Sequence, residues 1–212
     1  MTTIAALWSF ILVVGLLTLT PGLDTALIVR TAALRAPRRA WGVVLGIQSG
    51  TLVWGVLTSA GVTALLTASR LAYDVLRWVG AGYLIWMGAR MVWAGCRKAA
   101  RPVIEEDDGS PGNDLVAGWR RGALTNLLNP KMGAFYVALL PQFIPADVAP
   151  LPFGVLLACV HVALGTAWSA VLVLTARTMA GVLRRSSAQR VLDTLAGSVI
   201  AGFGVRLAAG HR

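Results

Sequence analysis

Lys131 stands in the middle of a long apolar stretch, Trp119 to Phe143, inside the segment Asn126-Leu127-Leu128-Asn129-Pro130-Lys131. If that stretch crosses a bilayer, Lys131 lies about twelve residues from either end, roughly 18 Å along a helix. A lysine arm reaches on the order of 6 Å, so its charge cannot snorkel to water from there. It needs a partner, a cavity or a loss of its proton, and an ionisable residue at that depth marks a functional site by default. Asn126 and Asn129 are three residues apart and share a helix face. Pro130 breaks the helix and frees backbone carbonyls beside them. The bland alternative is a kink at Asn129-Pro130 with Lys131 neutralised by an acid.

A second break reads Leu19-Thr20-Pro21-Gly22-Leu23-Asp24. Proline removes a helix donor and glycine eases unwinding. The half-helix ends expose N–H and C=O groups, tolerated in a membrane only where they line a cavity. Such ends suit a zwitterion, with N–H groups for a carboxylate and carbonyls for an ammonium. Asp24 could bind the ammonium or carry a proton. Equally, it lies about five residues from a span end and could face water or pair with Arg30; the residues alone leave both readings open. Thr20, Pro21, Gly22, Asp24, Asn126, Asn129, Pro130 and Lys131 are thus the expected site. Gln48, His161 and Gln142 are secondary candidates, each with an ordinary packing or interfacial reading beside the functional one.

The elements that must position these residues are membrane spans. The chain has 212 residues, 57% hydrophobic and only 13% charged, against about 25% charged in a soluble domain. Six apolar stretches are long enough for a ~30 Å hydrocarbon core: Ile4–Val29, Trp41–Ala68, Leu71–Ala94, Trp119–Phe143, Leu151–Ala176 and Val191–Ala209. The first lacks a basic flank and is too long for a signal peptide, so it is expected to stay. The net charge of +10 is topological rather than a nucleic-acid footprint. Thirteen basic residues fall in the loops after spans 1, 3 and 5, at Arg30–Arg39, Arg97–Arg121 and Arg177–Arg190. The positive-inside rule places these loops in the cytoplasm and both termini outside.

The segment 97–118 carries Pro102, the acidic run Glu105-Glu106-Asp107-Asp108 and Gly109-Ser110-Pro111-Gly112. It reads as a solvated cytoplasmic linker between a first three-helix half, 1–96, and a second, 119–212. The halves are weakly alike. Pro21 aligns with Pro130, Gly42-Val43-Val44-Leu45 with Gly154-Val155-Leu156-Leu157, and Gly88 and Arg90 with Gly204 and Arg206. Three spans per half invert the second half relative to the first. The expected fold is therefore all-α and integral to the membrane, six helices in a 3+3 inverted repeat with helices 1 and 4 broken at proline. Gly42, Gly46 and Gly50 form a packing stripe on span 2, and Ser198 and Gly202 give span 6 a similar face.

Other chemistries fare poorly. A membrane thiol–disulfide relay needs cysteines beside the breaks, whereas Cys96 and Cys159 lie elsewhere. Ser9, Ser49 and Ser169 have no partner at protease motif spacing, and no HExxH motif occurs. No enzyme activity, metal or cofactor is expected. A small-solute channel remains compatible with the composition.

At these motifs the chain resembles the lysine exporter family of amino-acid effluxers, also called the homoserine/threonine resistance family. The resemblance rests on Thr20-Pro21-Gly22 with Asp24, the span-2 glycines, and Gly82-Tyr83-Leu84 with Gly88. It rests too on Gly122 leading into Asn126–Lys131, and on Pro141-Gln142-Phe143. One departure is Leu23, where the family pattern often has a second proline. The resemblance implies export of amino acids or close derivatives across the bacterial plasma (inner) membrane. It also implies proton coupling and a homodimer in membrane lipid, and leaves the substrate open. Asp24 is the one acid suited to a cationic side chain, and Lys131 competes for it, which favours neutral or small polar amino acids.

Overall fold

The computed structural model describes residues 2–34, 36–96, 113–176 and 186–209, and every regular element among them is helical. The order is α1 (Thr3–Leu19), α2 (Leu23–Ala33), α3 (Pro37–Ala68), α4 (Arg70–Cys96), α5 (Leu115–Leu127) and α6 (Pro130–Ala134). A π-helical turn over Phe135–Leu139 and a 3-10 turn over Leu140–Phe143 follow, then α7 (Pro150–Leu174) and α8 (Ser186–Ala209).

Local chemistry sets these boundaries. Proline opens α3, α6 and α7, where its missing N–H costs no helical bond. Asp114 caps α5 by accepting from the N–H groups of Val116 and Ala117. α5 therefore starts at Leu115, four residues before the expected span. Its neighbour Asn113 accepts from the N–H groups of Arg38 (2.9 Å) and Arg39 (3.3 Å), so the chain entering α5 also caps α3. Segment 97–112 of the expected linker lies outside the described residues.

Both expected breaks are present. α1 and α2 meet at Pro21-Gly22 with a bend of 52°. The fourth stretch is divided by Asn129-Pro130 and again by the π turn. By length and composition, Pro37–Ala64 and Pro150–Leu174 can each cross a membrane, and the α1–α2 pair, bent by 52°, is long and apolar enough for a third if it is one span. The other three expected spans are less apolar or less continuous. α4 carries Arg70, Asp74, Arg77 and Arg90; α8 carries Arg190, Asp193 and Arg206; the fourth is divided. Outward faces are apolar, with Leu12, Leu57, Val79 and Leu174 all exposed, as a hydrocarbon solvent permits.

α3 lies along α5 and α7, α4 lies along α8, and α7 also touches α1 and α2. Glycines allow the closest of these approaches. A Cβ at Gly42 or Gly46 would strike the carbonyls of Leu115 and Trp119 on α5, and one at Gly118 or Gly122 would strike those of Arg39 and Val43 on α3. The α4–α8 contact is built similarly from Gly88 against Gly197 and Ala201. The expected Ser198–Gly202 face is not part of it: both residues are exposed, and a Cβ at Gly202 would meet nothing within 4 Å. Helical phase explains this, since Gly197 and Gly204 are seven apart and share the packed face instead.

Two apolar clusters form the interior. The larger gathers Phe10, Phe135, Tyr136, Leu139 and Phe143 with residues of α4, α7 and α8. The smaller joins Leu27, Ile28 and Val29 of α2 to Val43, Val44 and Ile47 of α3 and Leu172 of α7. Residues of both clusters wall the cavity described next.

Candidate functional site

Proline chemistry at the two breaks explains how they are joined. Pro21 has no N–H, so the carbonyl of Leu17 loses its helical donor. Lys131 supplies a replacement: its Nζ donates to the carbonyls of Leu17 (3.1 Å) and Thr20 (3.2 Å). These are the C-terminal carbonyls of α1, the negative end of its dipole. The Thr20 hydroxyl donates back to Leu16 O, while its carbonyl accepts from Lys131.

Pro130 likewise strips a donor from the carbonyl of Asn126. The N–H of Asn129 (3.1 Å) and the indole N–H of Trp54 (3.5 Å) take its place. The Trp54 ring lies over Gly133, where a Cβ would sit 3.2 Å from it. Asn129 caps the short α6 by accepting from the Lys131 N–H, which directs the lysine arm toward α1.

A second link runs from the fourth stretch to the first. Asp24 stands in the first turn of α2, where a helix dipole favours negative charge. Asn126 Nδ2 donates to Asp24 Oδ2 at 2.9 Å and approaches Thr51 Oγ1 at 3.4 Å. Gly50 makes this possible, because a Cβ there would meet Asn126 Oδ1 at 2.6 Å. The last glycine of the span-2 stripe therefore serves the site as well as packing. Lys131 acts on the Asp24 carboxyl through its charge. Each broken stretch thus holds the other, once by a cation on carbonyls and once by an amide on a carboxylate.

Around these links lies a cavity of about 70 Å³, room for several waters or a compact solute. Thr20, Gly22, Asp24, Asn126, Asn129 and Lys131 line it, as do Gln48 and His161. Pro21 and Pro130 shape the breaks without lining it. Gln142 lies in the 3-10 turn, half-buried and outside the cavity wall. Gln48 rests on Gly165, whose missing Cβ would come 3.0 Å from its amide. His161 Nδ1 is 3.0 Å from the Tyr136 hydroxyl, with the two rings stacked.

Sequence reasoning missed Thr51, Trp168 and Ser169, all in the same wall. A signal existed: His161, Gly165 and Ser169 repeat every four residues and form one polar, small-residue stripe on an otherwise apolar helix. Among the described residues, four buried side-chain atoms lack a hydrogen-bond partner: Thr18 Oγ1, Asp24 Oδ1, Asn126 Oδ1 and Trp168 Nε1. All four residues line this cavity. Unpartnered buried polar atoms are costly and rare, so their gathering here marks a place built to meet a polar ligand. Cys159 is exposed on α7, away from the breaks; the side chain of Cys96 lies outside the described residues.

An apolar helical bundle with two broken helices clasped around a buried polar cavity is the architecture of a membrane translocator. Comparison with known proteins agrees. The family model described as LysE type translocator matches residues 15–211. The leucine efflux protein of Enterobacter sp. (strain 638) is 24% identical over 208 residues, covering 96% of this chain and 95% of that protein. The threonine efflux protein of Escherichia coli (strain K12) is 28% identical over 194 residues, covering 89% and 90%. The homoserine/homoserine lactone efflux protein of Salmonella typhimurium (strain LT2) is 32% identical over 137 residues, covering 65% and 64%. No solved structure matches the chain. The protein belongs to the LysE type translocator family, and the relatives named above are efflux proteins for leucine, threonine and homoserine or its lactone.

Proposed function

We propose that this protein exports neutral or small polar amino acids, or close derivatives, from the cytoplasm by alternating access, driven by the proton gradient. The observation that carries the reading is the mutual clasp of the two broken helices around one cavity. Lys131 holds the end of α1 and Asn126 holds Asp24. A cargo ammonium is attracted by the same groups that Lys131 and Asn126 now engage, so cargo and clasp compete. Release of the clasp then lets one half rock against the other. Asp24 is the proton-carrying group in this scheme, since its charge decides whether it holds an ammonium.

Several features support the finer reading. The pairings α3–α7 and α4–α8 map onto themselves when the halves are exchanged, and α3–α5 maps onto α7 with α1 and α2. A 3+3 inverted repeat of six spans has this pattern. The basic loops favour both termini outside a bacterial inner membrane, and the homodimer stays an expectation from the resemblance. Among the described residues the wall holds one acid, Asp24, beside Lys131, with no second carboxylate there for a cationic cargo side chain. The relatives named for leucine, threonine and homoserine efflux fit that preference. A thiol relay has nothing to support it, with Thr20 and Asn129 flanking the prolines.

The test is efflux from cells preloaded with the twenty amino acids, with and without the protein, repeated with the proton gradient collapsed. Selective, saturable, gradient-dependent loss of a few neutral amino acids is expected. Flux that does not saturate would indicate a channel. No amino-acid flux from protein folded in the membrane would overturn the reading.

A further inference from the structure

The cavity wall is chemically lopsided. On the side of the two breaks, its unpartnered buried atoms are the acceptors Asp24 Oδ1 and Asn126 Oδ1 and the hydroxyl Thr18 Oγ1. On the side of α7 the unpartnered buried atom is a donor. Trp168 Nε1–H is buried without a partner, and an indole nitrogen can only donate. His161 becomes a donor through its neighbour. The Tyr136 hydroxyl meets His161 Nδ1 and has no other acceptor among the described residues. A buried hydroxyl proton left unbonded is costly, so the satisfied arrangement has Tyr136 donating to Nδ1. The ring proton then sits on Nε2 of a residue that lines the cavity. His161 and Trp168 are seven residues apart, two turns along one helix face, with Gly165 between them packed against the Gln48 amide.

We infer that α7 supplies the carboxylate subsite of the transport cavity, with His161 and Trp168 donating to the cargo carboxylate while its ammonium faces Asp24 and Asn126. Tyr136 is a positioning residue that fixes the His161 proton on Nε2. The inference rests on the amino-acid export reading and adds the orientation of the cargo and the recognition of its acid end. It also predicts a ranking: a free carboxylate is read by α7, whereas an ester or a lactone, with no anionic oxygen, is not.

The experiment is calorimetric binding to the full-length protein in nanodiscs, with leucine, threonine and homoserine as probes beside leucine methyl ester and homoserine lactone. Trp168→Phe keeps the ring and loses the N–H; His161→Leu loses the donor, and His161→Gln restores one near Nε2. Losing a hydrogen bond to a charged group weakens binding roughly tenfold to a hundredfold. The expected result is that rise in Kd for the free amino acids in Trp168→Phe and His161→Leu. Little change is expected for the ester or lactone, with partial recovery in His161→Gln. Equal weakening of acid and ester, or no weakening of either, overturns the inference while leaving amino-acid export intact. Wild-type protein that binds none of the three amino acids overturns the export reading and this inference with it.

Discussion

The lysine at the fourth-helix break is satisfied by backbone oxygens as well as by charge, and this sets what its removal should do. Lys131→Ala leaves the carbonyls of Leu17 and Thr20 without that donor and removes the charge that opposes Asp24. A hydrogen bond from a charged donor is worth about 1.5–3 kcal/mol, and losing that much on the transport barrier is roughly tenfold to a hundredfold in rate. Efflux by Lys131→Ala should fall by that factor while the protein still reaches the membrane, as blotting of membrane fractions will check. Full transport by this variant would remove Lys131 from the mechanism. Leu23 is the converse case. It departs from the pattern that the resemblance implied, and it occupies the first helical position of α2, where proline is well tolerated. Leu23→Pro should retain efflux within about twofold and leave thermal stability unchanged or slightly raised. Residue types and spacing marked both breaks plainly. They could not show that Asn126 reaches Asp24, because that contact spans 102 residues of sequence, nor that Trp168 belongs to the wall.

Helix contacts divide the glycines into two kinds. Gly46 faces the Trp119 carbonyl of α5, while Gly82 has nothing within 4 Å of a Cβ. Gly46→Leu should force α3 and α5 apart and destabilise the protein by about 1–3 kcal/mol or more. Gly82→Ala should be neutral or stabilising by up to ~1 kcal/mol, from helix propensity alone. Thermal unfolding in detergent distinguishes the two, and equal effects would refute the assignment of the α3–α5 contact. The stripe on α3 was readable because its spacing is strict. The choice of Ser198 and Gly202 on α8 failed because small residues on a helix do not by themselves say which phase meets a neighbour. The π turn at Phe135–Leu139 had no signal, since a π turn is an insertion of register that periodicity averages away.

At the scale of the molecule, composition identified a membrane protein and the alternation of basic loops proposed its orientation. Hydropathy alone is weaker than that alternation, because α4 and α8 carry arginines and aspartates that lower their apolar score. Orientation can be checked directly. In a Cys96→Ser, Cys159→Ser background, a cysteine at Thr2 should react with an impermeant thiol reagent in intact cells, and one at Arg38 only after the membrane is opened. The reverse pattern would invert the topology. That background should also transport at full rate, which would close the thiol-relay alternative. One consequence of the α3–α5 contact concerns the order of synthesis. The ribosome releases α3 into the bilayer long before α5 exists, and the cap that Asn113 places on α3 arrives just ahead of α5. Until then the glycine face of α3 has only lipid to touch. A chain halted before α5 would carry that bare seam, with Gly42 and Gly46 lacking the backbone they pack against.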